Sequence, residues 1–190
     1  MGIEIREVGP ESLGEYLRIP ISFRVESILR VELIERGLGG VRLTEEPVEK
    51  PYVKDYDESV LSRAEEIDPE HWHLLMAFDG DTTVGGAAVA IEEPSINPFN
   101  CRDDVAVLWD IRVPPDYRDQ GIGSTLFDRA AAWAREHGYK LLAVETQNIN
   151  VPACRFYARQ GCSLGMISPC AYGNDPRLAH EAMLVWCLEL

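Results

Sequence analysis

The pattern of apolar and polar residues is clearest from residue 105 to residue 137, where an apolar run typical of a strand is followed by the apolar spacing of a helix. Val105 to Val113 is β-branched and apolar, which is typical of a buried strand, and Pro114 and Pro115 end it because proline cannot donate to a β-ladder. Beyond a short loop, apolar residues recur at three- and four-residue spacing as far as His137. The pattern predicts a strand, a tight loop and an amphipathic helix with a buried face formed by Leu126, Phe127, Ala130, Trp133 and Ala134.

The flanking sequence predicts further strands and helices around this segment. Asp79-Gly80-Asp81 is a strong hairpin signal between two β-rich runs, and Gly85-Gly86 predicts a bulge or a close approach within the second run. Residues 41–60 are acidic, contain proline and have weak periodicity, so we expect a long loop there. The remaining predicted elements are strands at Gly2 to Val8, His71 to Phe78, Thr83 to Glu92 and Lys140 to Thr146, and helices at Pro10 to Arg18 and Ser22 to Arg36.

This order of elements predicts an α+β fold with one βαβ unit. The 190 residues are enough for one domain with a sizeable core, and we expect a single domain over residues 1–190. No apolar run approaches the roughly 18 residues of a membrane span, and the first residues do not resemble a signal peptide. We therefore expect a cytoplasmic protein that does not enter a membrane.

The amino-acid composition limits the ligands that we expect the protein to bind. The five cysteines are odd in number and include no Cys-x-x-Cys pair, and the histidines lack metal-ligand spacing, so we predict neither disulfides nor a metal. The net charge of −14 argues against binding nucleic acid and would favour encounter with a cationic substrate, although solubility alone also explains it.

The loop between the central strand and its helix has the chemistry of a phosphate-binding loop. Its two glycines allow close approach of the backbone, the helix start offers unpaired N–H groups, and one arginine adds positive charge. A turn followed by a helix cap would use the same residues, and a short Gly-x-Gly does not decide between the two. The residues concerned are Arg118, Asp119, Gln120, Gly121, Ile122, Gly123 and Ser124.

Two motifs together resemble the GNAT superfamily of N-acetyltransferases. The first is the Arg-x-x-Gly-x-Gly loop that begins at Arg118, and the second is the spacing of Asn150, Ala153, Phe156, Tyr157 and Gly161. Glu145-Thr146-Gln147, Pro51-Tyr52 and the closing run from Glu181 to Trp186 are similar to the streptothricin acetyltransferase branch. The resemblance implies a mixed, mostly antiparallel sheet with helices on both faces.

The same resemblance implies transfer of an acetyl group from acetyl-coenzyme A to an amine. The two parallel central strands would splay apart and admit the pantetheine arm, which backbone groups of Ile111 and Val113 would hold. The loop from Arg118 to Ser124 would hold the pyrophosphate. Other residues that the resemblance places at the cofactor are Arg112, Asn150, Ala153 and Phe156.

Direct transfer requires a base, because an ammonium has no lone pair, and an acid for the departing thiolate. The motif spacing makes Tyr157 the candidate acid, and its hydroxyl remains protonated at neutral pH. By composition alone, a core tyrosine that packs against Phe156 would be the simpler explanation. Glu145 and Asp110 are the carboxylates on the two central strands, and Glu145 has the stronger motif as base or as substrate anchor. Asp110 could equally form a structural pair with Arg112. Strand alternation places Asp110 on the face opposite Trp109 and Ile111.

Three aromatic residues are candidates for the acceptor site, namely Trp109, Tyr52 and Tyr56. Buried packing for Trp109 and exposed loop composition for the tyrosines are the simpler explanations. Three functions remain open: an acetyltransferase for small amines, including streptothricin-type antibiotics and thus antibiotic resistance; a protein or peptide acetyltransferase; and a nonenzymatic acyl-coenzyme A binder. The oligomeric state, monomer or homodimer, is left open by the sequence.

Overall fold

The computed structural model describes residues 2–55, 68–92, 94–99 and 102–190, and the chain divides into two compact units. The first unit comprises Met1–Ile21, Tyr56–Val144 and Leu188–Leu190, and the second comprises Ser22–Asp55 and Glu145–Cys187. The expectation of one domain over residues 1–190 stays a prediction. No helix within the described ranges is long and apolar enough to cross a membrane.

Nine strands and three α-helices are described. The strands are β1 (Glu4–Val8), β2 (Phe23–Leu33), β3 (Val41–Lys54), β4 (Trp72–Asp79), β5 (Thr82–Ala90), β6 (Val105–Arg112), β7 (Leu141–Gln147), β8 (Ser163–Ser168) and β9 (Met183–Glu189). The helices are α1 (Leu13–Leu17), α2 (Ile122–Glu136) and α3 (Val151–Arg159). The predicted strands around residues 2–8, 71–92, 105–113 and 140–146 are confirmed, as are the predicted short helix before residue 18 and the helix that ends near His137.

The first unit contains the strand order β1-β4-β5-β6-β7. β1, β4, β5 and β6 pair with antiparallel neighbours, whereas β6 and β7 are parallel and joined by α2, so the predicted βαβ unit is confirmed. Helix α2 buries Leu126, Phe127, Ala130 and Ala134, four of the five positions predicted for its apolar face, and Trp133 is half-buried.

Two glycines of β5 allow close packing in the first unit, as predicted. A Cβ on Gly86 would lie 2.8 Å from the Tyr16 ring and 3.0 Å from the Leu75 carbonyl oxygen. A Cβ on Gly85 would lie 3.2 Å from Ile122 of α2 and 3.0 Å from the carbonyl oxygen of Arg112. The bare backbone at this point therefore lets α1 and α2 pack directly onto the sheet.

The second unit contains the end of β7 followed by β9 and β8, together with the separate antiparallel hairpin of β2 and β3. This hairpin contradicts two predictions. The helix predicted over Ser22 to Arg36 is wrong, because residues 23–33 form β2. The loop predicted over residues 41–60 is wrong for residues 41–54, which form β3, and residues 56–60 lie outside the described residues.

A buried asparagine fixes the second unit internally. The Asn148 side chain donates from Nδ2 to the Leu29 carbonyl oxygen at 2.9 Å and accepts at Oδ1 from the Ala182 N–H at 2.8 Å. The backbone N–H of Asn148 donates to the Ala182 carbonyl oxygen, and its carbonyl oxygen accepts from the Leu29 N–H. One residue at the end of β7 thus ties β2 to the segment that leads into β9.

Candidate active site

The loop before α2 reverses direction at Gly121, whose φ of 84° lies in the left-handed region that glycine adopts without strain. Asp119 also has a positive φ, of 59°. The N–H of Thr125 donates to the Gly121 carbonyl oxygen and closes the first turn of the helix. Ile122, Gly123 and Ser124 therefore stand at the positive end of a 15-residue helix.

Side chains of the loop also fold back onto its own backbone. Arg118 Nε donates to the Val113 carbonyl oxygen at 2.9 Å, and Gln120 Nε2 donates to the Asp116 carbonyl oxygen at 3.0 Å. These bonds fix the path from the end of β6 to the start of α2. Of the predicted loop residues, Arg118 to Gly121 form the turn before α2, and Ile122, Gly123 and Ser124 begin the helix.

Strand β6 pairs with β7 over only part of its length. Its parallel ladder with β7 pairs Val105, Ala106 and Val107 with residues 141–143, and β6 then continues to Arg112. On its other edge it remains paired with β5 as far as Arg112, which lies opposite Gly86. Ile111, predicted to hold a cofactor through its backbone, lies in this continuing part of β6.

Asp110 is engaged by a buried arginine. Arg112 Nε lies 3.0 Å and Arg112 Nη2 lies 2.8 Å from Asp110 Oδ2, with side-chain exposures of 1% for Arg112 and 12% for Asp110. Arg112 Nη1 also donates to the Leu17 carbonyl oxygen at 3.0 Å, and its guanidinium lies 4.8 Å from the centre of the Tyr16 ring. Burial raises the pKa of Asp110, while the Arg112 charge and hydrogen bonds oppose that rise. The structural pair that the sequence left open is therefore present.

A β-bulge changes the direction of side chains on β6. Asp110 lies opposite Ala88, whereas Leu108 lies opposite Val89, so Trp109 is an extra residue on this strand. Trp109 packs against the apolar cluster that includes Tyr16 and Ala88, and its ring contacts that of Trp72 edge to face at 5.7 Å. The expectation that Asp110 and Trp109 lie on opposite faces is wrong, because strict alternation fails at the bulge.

Glu145 differs from Asp110 in its surroundings. It is the exposed position in the second half of β7, and its Oε1 accepts a hydrogen bond of 2.6 Å from the hydroxyl of Tyr172. Gln147 Nε2 donates to the same hydroxyl at 3.3 Å. Tyr172 lies between β8 and β9 and was not identified from the sequence, since no periodic pattern positions that segment.

Helix α3 begins at the asparagine of the second motif. Asn150 Oδ1 accepts from the Ala153 N–H at 3.2 Å, which confirms the predicted cap. Tyr157 is 7% exposed, and its ring contacts that of Phe156 edge to face at 5.3 Å. Burial raises the pKa of Cys154 to about 11, so this thiol is a poor nucleophile.

One of the two candidate acceptor tyrosines, Tyr52, lies near the end of the hairpin. Tyr52 is a residue of β3, not of a loop; its pKa is raised by partial burial and then by the negative charge of Glu181. Glu181 is buried and paired with Lys54 Nζ at 2.7 Å. Tyr56 lies outside the described residues.

Known proteins resemble this chain in sequence and in fold. The model of the acetyltransferase (GNAT) family matches residues 41–162. Streptothricin acetyltransferase A of Bacillus subtilis strain 168 is 30% identical over 143 residues, or 75% of this chain and 76% of that protein. Streptothricin acetyltransferase of Escherichia coli is 27% identical over 178 residues, or 93% of this chain and 91% of that protein.

The fold has an equally extensive match among solved structures. A protein from Bacillus anthracis strain Ames, solved in complex with acetyl coenzyme A, has a TM-score of 0.78 and 26% identity, covering 100% of this chain and 98% of that chain. The predicted α+β fold with a mixed, mostly antiparallel sheet is confirmed. The chain therefore belongs to the GNAT family of acetyltransferases and is an N-acetyltransferase.

Proposed function

We propose that the protein transfers an acetyl group from acetyl-coenzyme A directly to a primary amine of a small cationic molecule, and that streptothricin-type antibiotics are among its substrates. One observation carries the proposal. Glu145, at the end of β7, is an exposed carboxylate that accepts a hydrogen bond from a tyrosine hydroxyl, and the chain is similar over most of its length to streptothricin acetyltransferases.

The loop of the first unit fits the pyrophosphate of the co-substrate. Gly121 presents no side chain at the turn, the amides of Ile122 and Gly123 lie in the first turn of α2, and Arg118 adds a positive charge. The part of β6 beyond its ladder with β7 offers the backbone of Ile111 to an extended pantetheine arm. Bound there, acetyl-coenzyme A would supply the acetyl group as a thioester.

Glu145 is the residue that would take the proton from the acceptor amine. A pH of 7 is about three units below the pKa of a lysine-like amine. Deprotonating the amine at this pH costs roughly 4 kcal/mol, and a base must help to meet this cost. The exposed position of Glu145 leaves its carboxylate open to an amine or to a bridging water. Asp110 is a weaker candidate because its carboxylate is already bound by Arg112.

Tyr157 would protonate the departing thiolate. A phenol that is largely shielded from water can donate a proton as negative charge develops on sulfur. Asn150 would then serve mainly by starting α3, which carries Ala153, Phe156 and Tyr157. The net charge of −14 supports the choice of a cationic acceptor, because it raises the local concentration of cations.

The test is thiol release from acetyl-coenzyme A with a panel of amines that includes streptothricin, simple lysine derivatives and peptide amino termini. We expect turnover with streptothricin, and a fall in kcat of about 100-fold in Tyr157→Phe, the usual size of a general-acid effect. Tyr139→Phe is the matched control, since Tyr139 is a partly buried tyrosine of the first unit outside the proposed machinery. Turnover confined to peptide amines would reject the small-molecule assignment.

A further inference from the structure

Tyr172 stands in a directional chain of hydrogen bonds in the second unit. Gln147 Nε2 donates to the Tyr172 hydroxyl oxygen at 3.3 Å, and the Tyr172 hydroxyl lies 2.6 Å from Glu145 Oε1. A phenol has one proton to donate, and an amide nitrogen can only donate. The proton of Tyr172 is therefore directed at the carboxylate of Glu145.

The distance indicates a strong interaction. Hydroxyl to carboxylate bonds of 2.5–2.7 Å are charge-assisted and about twice as strong as bonds between neutral groups. An exposed glutamate otherwise samples several rotamers, and fixing the side chain in one of them costs conformational entropy. A fixed partner at Oε1 removes part of this freedom before a substrate arrives.

The segment that carries Tyr172 is itself held by local bonds. The Asp175 N–H donates to the Tyr172 carbonyl oxygen at 3.1 Å, and the Gly173 N–H donates to the Cys170 carbonyl oxygen at 3.2 Å. Arg177 binds both oxygens of Asp175, with Nε to Oδ1 at 3.1 Å and Nη2 to Oδ2 at 2.7 Å, and its hydrogen bonds lower the pKa of Asp175 to about 2. Tyr172 therefore lies in a turn that is held by its own hydrogen bonds.

We propose that Tyr172 is a positioning residue that orients Glu145 to receive the proton of the acceptor amine. The proposal rests on the proposed function, in which Glu145 is the base. The amine proton passes to Glu145, directly or through one water, while the nitrogen lone pair forms the bond to the acetyl carbon. The carbon–sulfur bond of the thioester then breaks, and coenzyme A leaves as a thiol with the proton that Tyr157 donates. No bond to Tyr172 forms or breaks, and its hydroxyl proton stays where it is.

The decisive experiment is a double-mutant cycle on kcat with Tyr172→Phe and Glu145→Gln in the full chain. Tyr172→Phe keeps the ring and removes only the hydroxyl. We expect it to lower kcat by about 10-fold, the usual effect of one bond to a charged group, with KM for acetyl-coenzyme A unchanged. In the Glu145→Gln background we expect less than about a twofold further change, because the residue through which Tyr172 acts is already gone.

Gln147→Leu provides a second route to the same answer. It leaves Tyr172 in place but removes the donor that occupies its lone pair, so we expect a smaller fall in kcat, about threefold, that also disappears in the Glu145→Gln background. Tyr139→Phe is again the control and should leave kcat unchanged.

The outcomes separate this proposal from the proposed function. Turnover by the wild type with an equally active Tyr172→Phe variant overturns the positioning role and leaves the acetyltransferase assignment intact. Effects of Tyr172→Phe and Glu145→Gln that multiply in the double variant also overturn it, since a purely structural tyrosine would behave in that way. A wild type that acetylates no amine overturns both proposals.

Discussion

Each of the two parallel central strands, β6 and β7, carries a carboxylate near its end, and the two carboxylates have opposite environments. At the end of β6, Asp110 is nearly buried and is bound by an arginine that is itself buried. At the end of β7, Glu145 is exposed and shares a hydrogen bond with a neutral hydroxyl. From the sequence both carboxylates were candidates for the same proton transfer.

The two carboxylates differ in their contact with water and in the charge of their hydrogen-bond partner. Asp110 has exchanged water for a guanidinium, and this exchange is favourable only while both charges are present. Glu145 keeps access to solvent, and its partner bears no charge to compete for an incoming amine. A base must be able to accept a proton without disrupting the fold, and Glu145 meets this condition better.

The largest expected effect that tests this comparison is on stability. Asp110→Asn should lower the free energy of unfolding by about 3 kcal/mol, because it leaves the buried Arg112 charge without its counterion. Urea denaturation followed by tryptophan fluorescence measures this change. A variant of unchanged stability that has lost activity would reverse the comparison and make Asp110 the base.

The second test should affect rate and not stability. Glu145→Gln preserves the shape of the side chain and should lower kcat by about 100-fold, which is typical for the loss of a general base. Because Glu145 is exposed, its urea midpoint should stay within the error of the wild type. Stability lost together with rate would place Glu145 in the same structural class as Asp110.

The smallest expected effect is a loss of folding stability at low pH. It bears on the comparison of Asp110 with Glu145 because partial unfolding would also lower the rates measured at low pH. His73 stacks on Trp133 with ring centres 4.0 Å apart, and burial, followed by the positive charges of His137 and Arg129, lowers the pKa of His73 from 6.5 to about 4. The unfolded chain therefore binds the proton first, so stability is complete above pH 6.5 and falls as pH decreases towards 4.

The size of this acid effect is modest. The shift corresponds to about 3 kcal/mol at most, which we reduce to about 1 kcal/mol because the ring is partly exposed. Thermal unfolding from pH 7 to pH 4 measures it, and His73→Phe should flatten the decline relative to the wild type. An equally steep decline in that variant would assign the acid sensitivity to other groups.

The sequence predicted best where local pattern and tertiary structure agree. The strand from Val105, the loop at Gly121 and the cap at Asn150 carry their own signals in proline, glycine and asparagine. The family motifs then made Glu145 and Tyr157 candidates, and the roles of both residues stay predictions. Which carboxylate is paired depends on Arg112 reaching the backbone of Leu17, a contact between distant residues that no local pattern contains.

The hairpin of β2 and β3 shows why the rest was missed. Phe23, Ile28, Leu29 and Leu33 happen to fit helical spacing, so Ser22 to Arg36 satisfied the wrong period. Pro47 and Pro51 made the partner strand resemble a loop, yet proline is tolerated on strands with an open edge, and both strands of a two-stranded sheet have one. Each strand is defined by the other, and the pairing cannot be read from either alone.

The discontinuity of the second unit has a consequence for synthesis on the ribosome. The hairpin emerges early, but Asn148, which exchanges two hydrogen bonds with Leu29, and Ala182, which in turn binds Asn148, follow only after residues 56–144 have been made. At usual elongation rates the hairpin therefore waits for roughly 5 to 20 s without its partners. A lone hairpin is marginally stable in water, so a nascent chain paused in this interval would be a natural client for chaperones.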